Sequence, residues 1–284
     1  MLPPEFVDRP LPPDNHVHTE WSWDASTGSM EGSCRRAMEL GLPSIAFTDH
    51  ADFTDWAFPG QADETPALRV VDEHSHGGFL DVQGYMDCLE RCRDMFPDLT
   101  ILSGVELGEP HLFDTQVDSM LSSWSFDRVL GSLHSLTDDE GVLVYAPTLL
   151  KKDTVSTMRR YFAATLKMIE TTDSFAVLAH IDYPMRAPWP PDAKPYDALD
   201  YEEEYRAVLR ALARSGRALE VNTSGPWPAH QVIGWWYEEG GQAVSFGSDA
   251  HEPGEVAQRF MDAAALVESC GFRPGRRPTD FWRR

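Results

Sequence analysis

Histidines and acidic residues recur at the ends of short apolar runs in this 284-residue chain. The first run holds Asp14-Asn-His16-Val-His18 and the second ends in Thr48-Asp49-His50. Others run into Gly104-Val-Glu106, Gly131-Ser-Leu-His134, Ala179-His180-Ile-Asp182 and Gly247-Ser-Asp249-Ala-His251. Six of the ten histidines are spent this way. Neutral imidazoles and carboxylates together are the ligand set of Zn, Mn and Fe. A single histidine near a strand end is more often a hydrogen-bonded core residue than a ligand. Six of them interleaved with acids are harder to assign to packing, because burying that many titratable groups without a cation costs several kcal/mol. No thiolate is needed: Cys34, Cys88, Cys92 and Cys270 fall elsewhere.

The elements that must position these residues alternate between two periodicities. Strand candidates are Asn15–Thr19, Ser44–Thr48, Thr100–Leu107, Arg128–His134, Ala176–Ile181, Ala218–Asn222 and Ala243–Gly247. Between them lie helical patterns. Met30, Cys34 and Met38 form one face, stopped by Gly41. Asp153 is placed to cap a helix with Val155, Met158, Phe162, Leu166 and Ile169 inward. Tyr201, Tyr205, Val208 and Leu212 form a third face closed by Gly216, and residues 254–269 form another helix. Cys88 and Cys92, four apart, read as helix packing rather than as a redox or metal pair. Seven βα units predict an α/β protein with parallel strands, closed as a barrel rather than opened as a doubly wound sheet. The ligand-type residues then sit at the C-terminal ends of the strands, where such a barrel builds its active site. Residues i and i+2 of a strand share a side, so His16 and His18 enter the mouth together, as do Asp249 and His251 if their strand continues.

The whole chain, 1–284, reads as one domain. Its segment 51–80 is long for a βα connection and is predicted to be a lid-like insertion. It contains Trp56, Phe58 and the pair His74-x-His76, which reads as surface histidine more readily than as a further metal site. The proline-rich segment 185–197 reads as a rigid loop, and Trp227, Trp235 and Trp236 divide between pocket wall and core.

Composition narrows the partners. Lys and Arg number 24 against 46 Asp and Glu, a net charge of −22. Polymeric nucleic acid and anionic membranes both need basic surface and are not expected partners. Apolar runs reach only about five residues against the roughly 20 of a membrane span. The residues Met1-Leu-Pro-Pro-Glu do not resemble a secretory leader, so a cytoplasmic protein with reduced thiols is expected. An anionic substrate would need its positive field from something other than lysine and arginine.

Together, His16-x-His18, Thr48-Asp49-His50, Glu106, His134, His180 and Gly247-Ser-Asp-Ala-His251 resemble the PHP (polymerase and histidinol phosphatase) superfamily, over about residues 14–267. The stretches His18-Thr-Glu-Trp-Ser-Trp-Asp24, Ile45-Ala-Phe-Thr-Asp-His-Ala-Asp52 and Gly104-Val-Glu-Leu-Gly108 are similar to its histidinol-phosphatase branch. The resemblance implies a single distorted (β/α)7 TIM-like barrel with three divalent metals. It implies His16, His18, Glu106 and Asp249 at one ion, Glu106 bridging to a second with His134 and His180, and Asp24, His50 and His251 at the third. Asp24 departs from members with histidine there, and an oxygen ligand favours Mn or Fe over Zn.

The expected chemistry is metal-assisted hydrolysis of a small phosphomonoester, with L-histidinol phosphate as leading substrate by resemblance. Glu106, Asp249, His251 and Asp49 form the expected catalytic set, with Asp49 orienting the neighbouring His50. Arg186 and Arg160 are the candidate phosphate clamps, and Asp182 is a candidate acceptor or loop cap. Competing readings are a PHP nuclease or nucleotide phosphoesterase, an amidohydrolase-like hydrolase and a non-catalytic metal-binding module. The absence of a basic patch weighs against polymeric nucleic acid, and the glutamate of the third strand weighs against the amidohydrolase.

Overall fold

The seven apolar segments form strands in a computed structural model that describes residues 11–53, 80–225, 228 and 230–284. In chain order the strands are β1 (Asp14–Val17), β2 (Ser44–Phe47), β3 (His50–Ala51), β4 (Thr100–Gly108), β5 (Arg128–Ser132), β6 (Ser135–Thr137), β7 (Leu143–Tyr145), β8 (Val177–Leu178), β9 (Ala218–Asn222), β10 (Ala243–Gly247) and β11 (Trp282–Arg283). The helices are α1 (Met30–Leu40), α2 (Val82–Met95), α3 (Asp114–Ser123), α4 (Ala146–Leu149), α5 (Thr154–Thr171), α6 (Glu202–Ser215), α7 (His230–Glu238) and α8 (Phe260–Ser269).

The main sheet runs β1-β2-β4-β5-β8-β9-β10, all parallel, with β3 added beside the end of β4. It closes on itself. Ala250, just beyond β10, accepts from His18 N at 2.8 Å, and Asp249 N donates to His16 O at 2.7 Å. This is the TIM-like barrel of seven parallel strands expected from the βα count.

Alternation along the strands sorts the core. Leu130, Val177, Ala179, Ala218 and Ala243 form a small buried cluster with Phe281 packed against it. Their outward neighbours, such as Leu178, Leu219, Val221, Val244 and Phe246, join the larger core under the helices. β11 pairs antiparallel with the start of β10. Its segment also ties to the strands' first residues: Ser44 Oγ donates to Pro278 O at 3.0 Å, and the Arg128 guanidinium donates to Thr279 O. The C-terminal segment therefore covers the end of the barrel opposite the histidines, a role not anticipated from the sequence.

The helix signals behave as chemistry requires. Ser29 caps α1 and Asp153 caps α5 through hydrogen bonds to Gly32 N and Ser156 N. Gly41 and Gly216 end α1 and α6 at φ of 68° and 75°, where a side chain would be strained. Met38 and Val155, expected inward, are instead exposed. The helix expected over 254–269 starts only at Phe260, because Ala257 and Arg259 both hold positive φ. The ladder expected over Ala176–Ile181 is only Val177–Leu178, since the backbone turns at His180. Asp249 and His251 do not share a face through strand alternation: β10 stops at Gly247, and a left-handed Asp249, φ 52°, turns the chain. Cys34, Cys88 and Cys92 are buried free thiols, and Trp235 and Trp236 are core. Most of the segment 51–80, including Trp56, Phe58, His74 and His76, lies outside the described residues, as does Trp227. Among the described residues no helix is long and apolar enough to cross a membrane.

Candidate active site

Glu106 is the centre of the strand-end cluster. It is fully buried on β4, and each carboxylate oxygen faces a different set of imidazoles. Oε1 lies 3.2 Å from His134 Nε2 and 2.7 Å from His180 Nε2. Oε2 lies 3.2 Å from His16 Nε2, 3.3 Å from His18 Nε2 and 3.0 Å from His50 Nδ1. Asp249 Oδ1 faces the same two nitrogens of the first strand, at 3.6 and 3.1 Å. At the rim, Asp24 Oδ2 sits 3.3 Å from His50 Nε2 and 3.2 Å from His251 Nε2. All nine residues expected as metal ligands are thus in one constellation.

The residues behind them fix which nitrogens point inward. Ser22 Oγ donates its single hydrogen to Asp49 Oδ1 at 2.7 Å, so it can only accept from His18 Nδ1, 2.9 Å away. His16 Nδ1 lies 2.6 Å from Glu220 Oε1. Both rings thereby present Nε2, and those nitrogens are 3.0 Å apart. Two imidazole lone pairs facing each other and two carboxylates need a cation among them. Glu106 Oε2 and His180 Nδ1 are buried polar atoms without a hydrogen bond. Among the described residues, three groupings have donor atoms close enough to share an ion: His16, His18 and Asp249; His18, His50 and His251; and His50, Glu106 and His134. The donor set fits divalent metal ions.

The electrostatics agree. Burial opposes charge on His16 and His50, yet the surrounding carboxylates, Asp249 and Glu220 for one and Asp24 and Glu106 for the other, hold both well above the ordinary imidazole value. The same contest pushes His134 up to about 10 beside Glu106 and Asp52. Burial also opposes ionisation of Glu106 and Asp249, but the imidazoles, with Arg186 at Asp249, hold both well below the usual carboxylate range. The pocket favours positive charge at its centre.

Several expected roles are relocated. Asp49 accepts from Thr19 N at 2.6 Å, Thr19 Oγ1 at 2.9 Å and Ser22 Oγ, so its path to an imidazole runs through Ser22 to His18, not to the ring of His50. Arg186 reaches the cluster: it pairs with Asp249 Oδ2 and lies over the Tyr183 ring at 5.0 Å. Arg160 does not: it donates to Thr137 O on the β6–β7 hairpin and lies 4.0 Å from exposed Asp139. Asp182 is buried and makes no side-chain cap, and burial pushes its carboxyl up to about 7 despite Arg186. Glu220 and Ser22 were missed. Glu220 had a signal: a lone acid between outward-facing Leu219 and Val221 on a barrel strand. Ser22 lies in an irregular turn, which no periodicity marks.

Known proteins resemble the chain over most of its length. The histidinol-phosphatase of Lactococcus lactis is 27% identical over 269 residues, 91% of each chain. That of Bacillus subtilis is 21% identical over 281 residues, covering 90% of this chain and 98% of the relative. A crystal structure of the Lactococcus lactis histidinol phosphate phosphatase, complexed with zinc, L-histidinol and phosphate, matches with a TM-score of 0.78 at 24% identity, covering 93% of this chain and 95% of that one. The PHP domain model matches residues 14–224, which span β1 to the end of β9 and seven of the nine clustered residues, and the chain belongs to the PHP domain family.

Proposed function

We propose that this protein is a metal-dependent phosphomonoesterase that hydrolyses L-histidinol phosphate to L-histidinol and phosphate. The observation that carries the reading is the convergence of six imidazoles and three carboxylates, Glu106 at their centre, with the largely buried Arg186 beside them. Relatives spanning nine-tenths of the chain are named histidinol-phosphatases, and the bound L-histidinol and phosphate of the Lactococcus protein supply the substrate class.

In this reading His16, His18, Glu106 and Asp249 would hold one ion, Glu106, His134 and His180 a second, and Asp24, His50 and His251 a third. Divalent ions there supply the positive charge that phosphoryl oxygens and an alkoxide leaving group require. Three such ions would outweigh the three ligand carboxylates and make the pocket positive inside a chain of net charge −22. The protein's own residues do the rest. Arg186, its charge favoured by Asp249 despite burial, offers its remaining guanidinium donors to phosphate oxygens. Asp49 and Ser22 keep the proton of His18 on Nδ1, leaving Nε2 free to ligate. Asp24 biases the rim position towards Mn or Fe. The chain acts as one domain, and its free buried thiols support a cytoplasmic location.

The test is a panel of histidinol phosphate, mononucleotides, an oligonucleotide and an N-acyl substrate, each with Zn, Mn and Fe. Release of phosphate from histidinol phosphate, abolished by a chelator and restored by metal, is the expected result. Preferential turnover of the oligonucleotide or N-acyl substrate, or full phosphatase activity in chelated protein, would overturn the proposal.

A further inference from the structure

Glu220 is buried on β9, one strand away from any expected ligand, and both of its oxygens are used. Oε1 is 2.6 Å from His16 Nδ1. Oε2 accepts from the backbone N–H of His180 at 2.8 Å and from Asn222 Nδ2 at 3.1 Å. The same Asn222 Nδ2 lies 3.0 Å from Asp249 Oδ2. The amide of Asn222 cannot be turned round, because its Oδ1 accepts from Ser224 N at 3.0 Å. One carboxylate therefore touches the side chain of His16 on β1 and the backbone of His180 after β8, and reaches Asp249 after β10 through one amide. His180 and Asp249 are both positive-φ residues, whose conformations persist only where surrounding bonds enforce them.

We infer that Glu220 is the positioning residue of the metal centre: it sets the ring nitrogen that His16 presents and holds three ligand-bearing strand ends in register. The inference rests on the metal-centre reading of the proposed function. Glu220 touches no substrate in this scheme and acts only through the ligands.

Glutamine at this position has the same shape but not the same hydrogen bonds. The Oε2 place faces two fixed donors, so the amide oxygen of Glu220→Gln takes it and the NH2 turns to His16 Nδ1. That nitrogen must then accept, and the ring proton moves to Nε2, the atom aimed at Glu106 and Asp249. A residue that merely filled space would tolerate the change.

The experiment titrates zinc and manganese ions into wild type and E220Q against a chromophoric chelator, with circular dichroism and melting temperature as controls of folding. We expect E220Q to fold and to bind one equivalent about 10–100-fold more weakly than wild type. Wild-type affinity in E220Q for every equivalent would overturn the inference while leaving the metal centre intact. Failure of wild type itself to bind either ion would overturn the metal-centre reading, and the inference with it. Imidazole 15N spectra of zinc-loaded wild type, assigned with H16Q, decide the matter even if E220Q does not fold: the His16 proton is expected on Nδ1, and a proton on Nε2 would overturn the inference.

Discussion

Arg186 and Asp24 each bring one side chain of different chemistry to the cluster that the histidines build. The guanidinium of Arg186 is four-fifths buried, stacked on Tyr183 and paired with Asp249, so its direction is fixed before any anion arrives. Replacement by alanine is expected to lower kcat/KM for the phosphomonoester by about 10²–10³ while metal content stays at the wild-type level. R186K retains the charge but not the fork and should fall between the two. Steady-state kinetics beside metal analysis checks this; loss of metal in R186A would make the residue a support for Asp249 instead. Asp24 contributes one hard oxygen between two imidazole nitrogens at the rim. Asp24→His makes that position all nitrogen, and the ratio of zinc-supported to manganese-supported activity should rise several-fold. An unchanged ratio would show that Asp24 does not select the metal. At this scale the sequence was legible wherever a residue sat on a strand end, because strand ends have a common address in a parallel barrel. Arg160 and the partner of Asp49 were not legible, because both depend on how loops fold back.

The strands are pinned by contacts that leave no room for a methyl group at Gly247. A Cβ there would lie against Glu220 Oε1 and 2.6 Å from His16 Cβ, where β1, β9 and β10 meet inside the barrel. Gly247→Ala must push those strands apart. It should cost roughly 1–3 kcal/mol of stability and lower metal affinity together. Gly254→Ala is the control, since a Cβ there meets only Glu252 at 3.7 Å. Thermal unfolding and metal titration of both variants measure this; a G247A protein with wild-type melting and affinity would contradict the packing argument. The seven strands were readable because each is an apolar run bounded by turn residues, and β9 and β10 match their expected limits. Three features were not readable. β8 is cut to two residues by the turn at His180, β6 and β7 form a hairpin beyond the barrel, and β11 closes the bottom. Each is decided by tertiary pairing rather than by local periodicity. A left-handed turn at Asp249, not strand alternation, brings Asp249 to His16 and His18 and His251 to Asp24.

At the scale of the whole molecule, a chain of net charge −22 needs a local positive field to hold a phosphate, and ions at the Glu106 cluster, with Arg186 beside them, would supply it. The metal-free pocket must then satisfy its carboxylates with protons. His16 and His50 stand well above, and His134 near 10 against an ordinary imidazole value near 6.5. Groups raised in this way are protonated at neutral pH in the folded, metal-free state. Their contribution to stability is full below the unfolded imidazole value and is lost as pH rises through the folded one, a window from about 6.5 to about 10 for His134. Ions bind the same nitrogens only after those protons leave, so metal uptake at pH 7 should release protons, and apparent affinity should weaken as pH falls. Isothermal calorimetry in two buffers of different ionisation enthalpy counts the protons. At an ion concentration of 100 times Kd the added stability is about 2.7 kcal/mol per independent site, so chelation should lower the melting temperature by roughly 5 °C or more. Inorganic phosphate should bind the loaded protein far more tightly than the chelated one, because the protonated imidazoles of the metal-free pocket neutralise its carboxylates but add no excess positive charge for an anion. Proton-neutral metal uptake, or equal phosphate binding with and without ions, would mean that the acidic chain meets its substrate by another route.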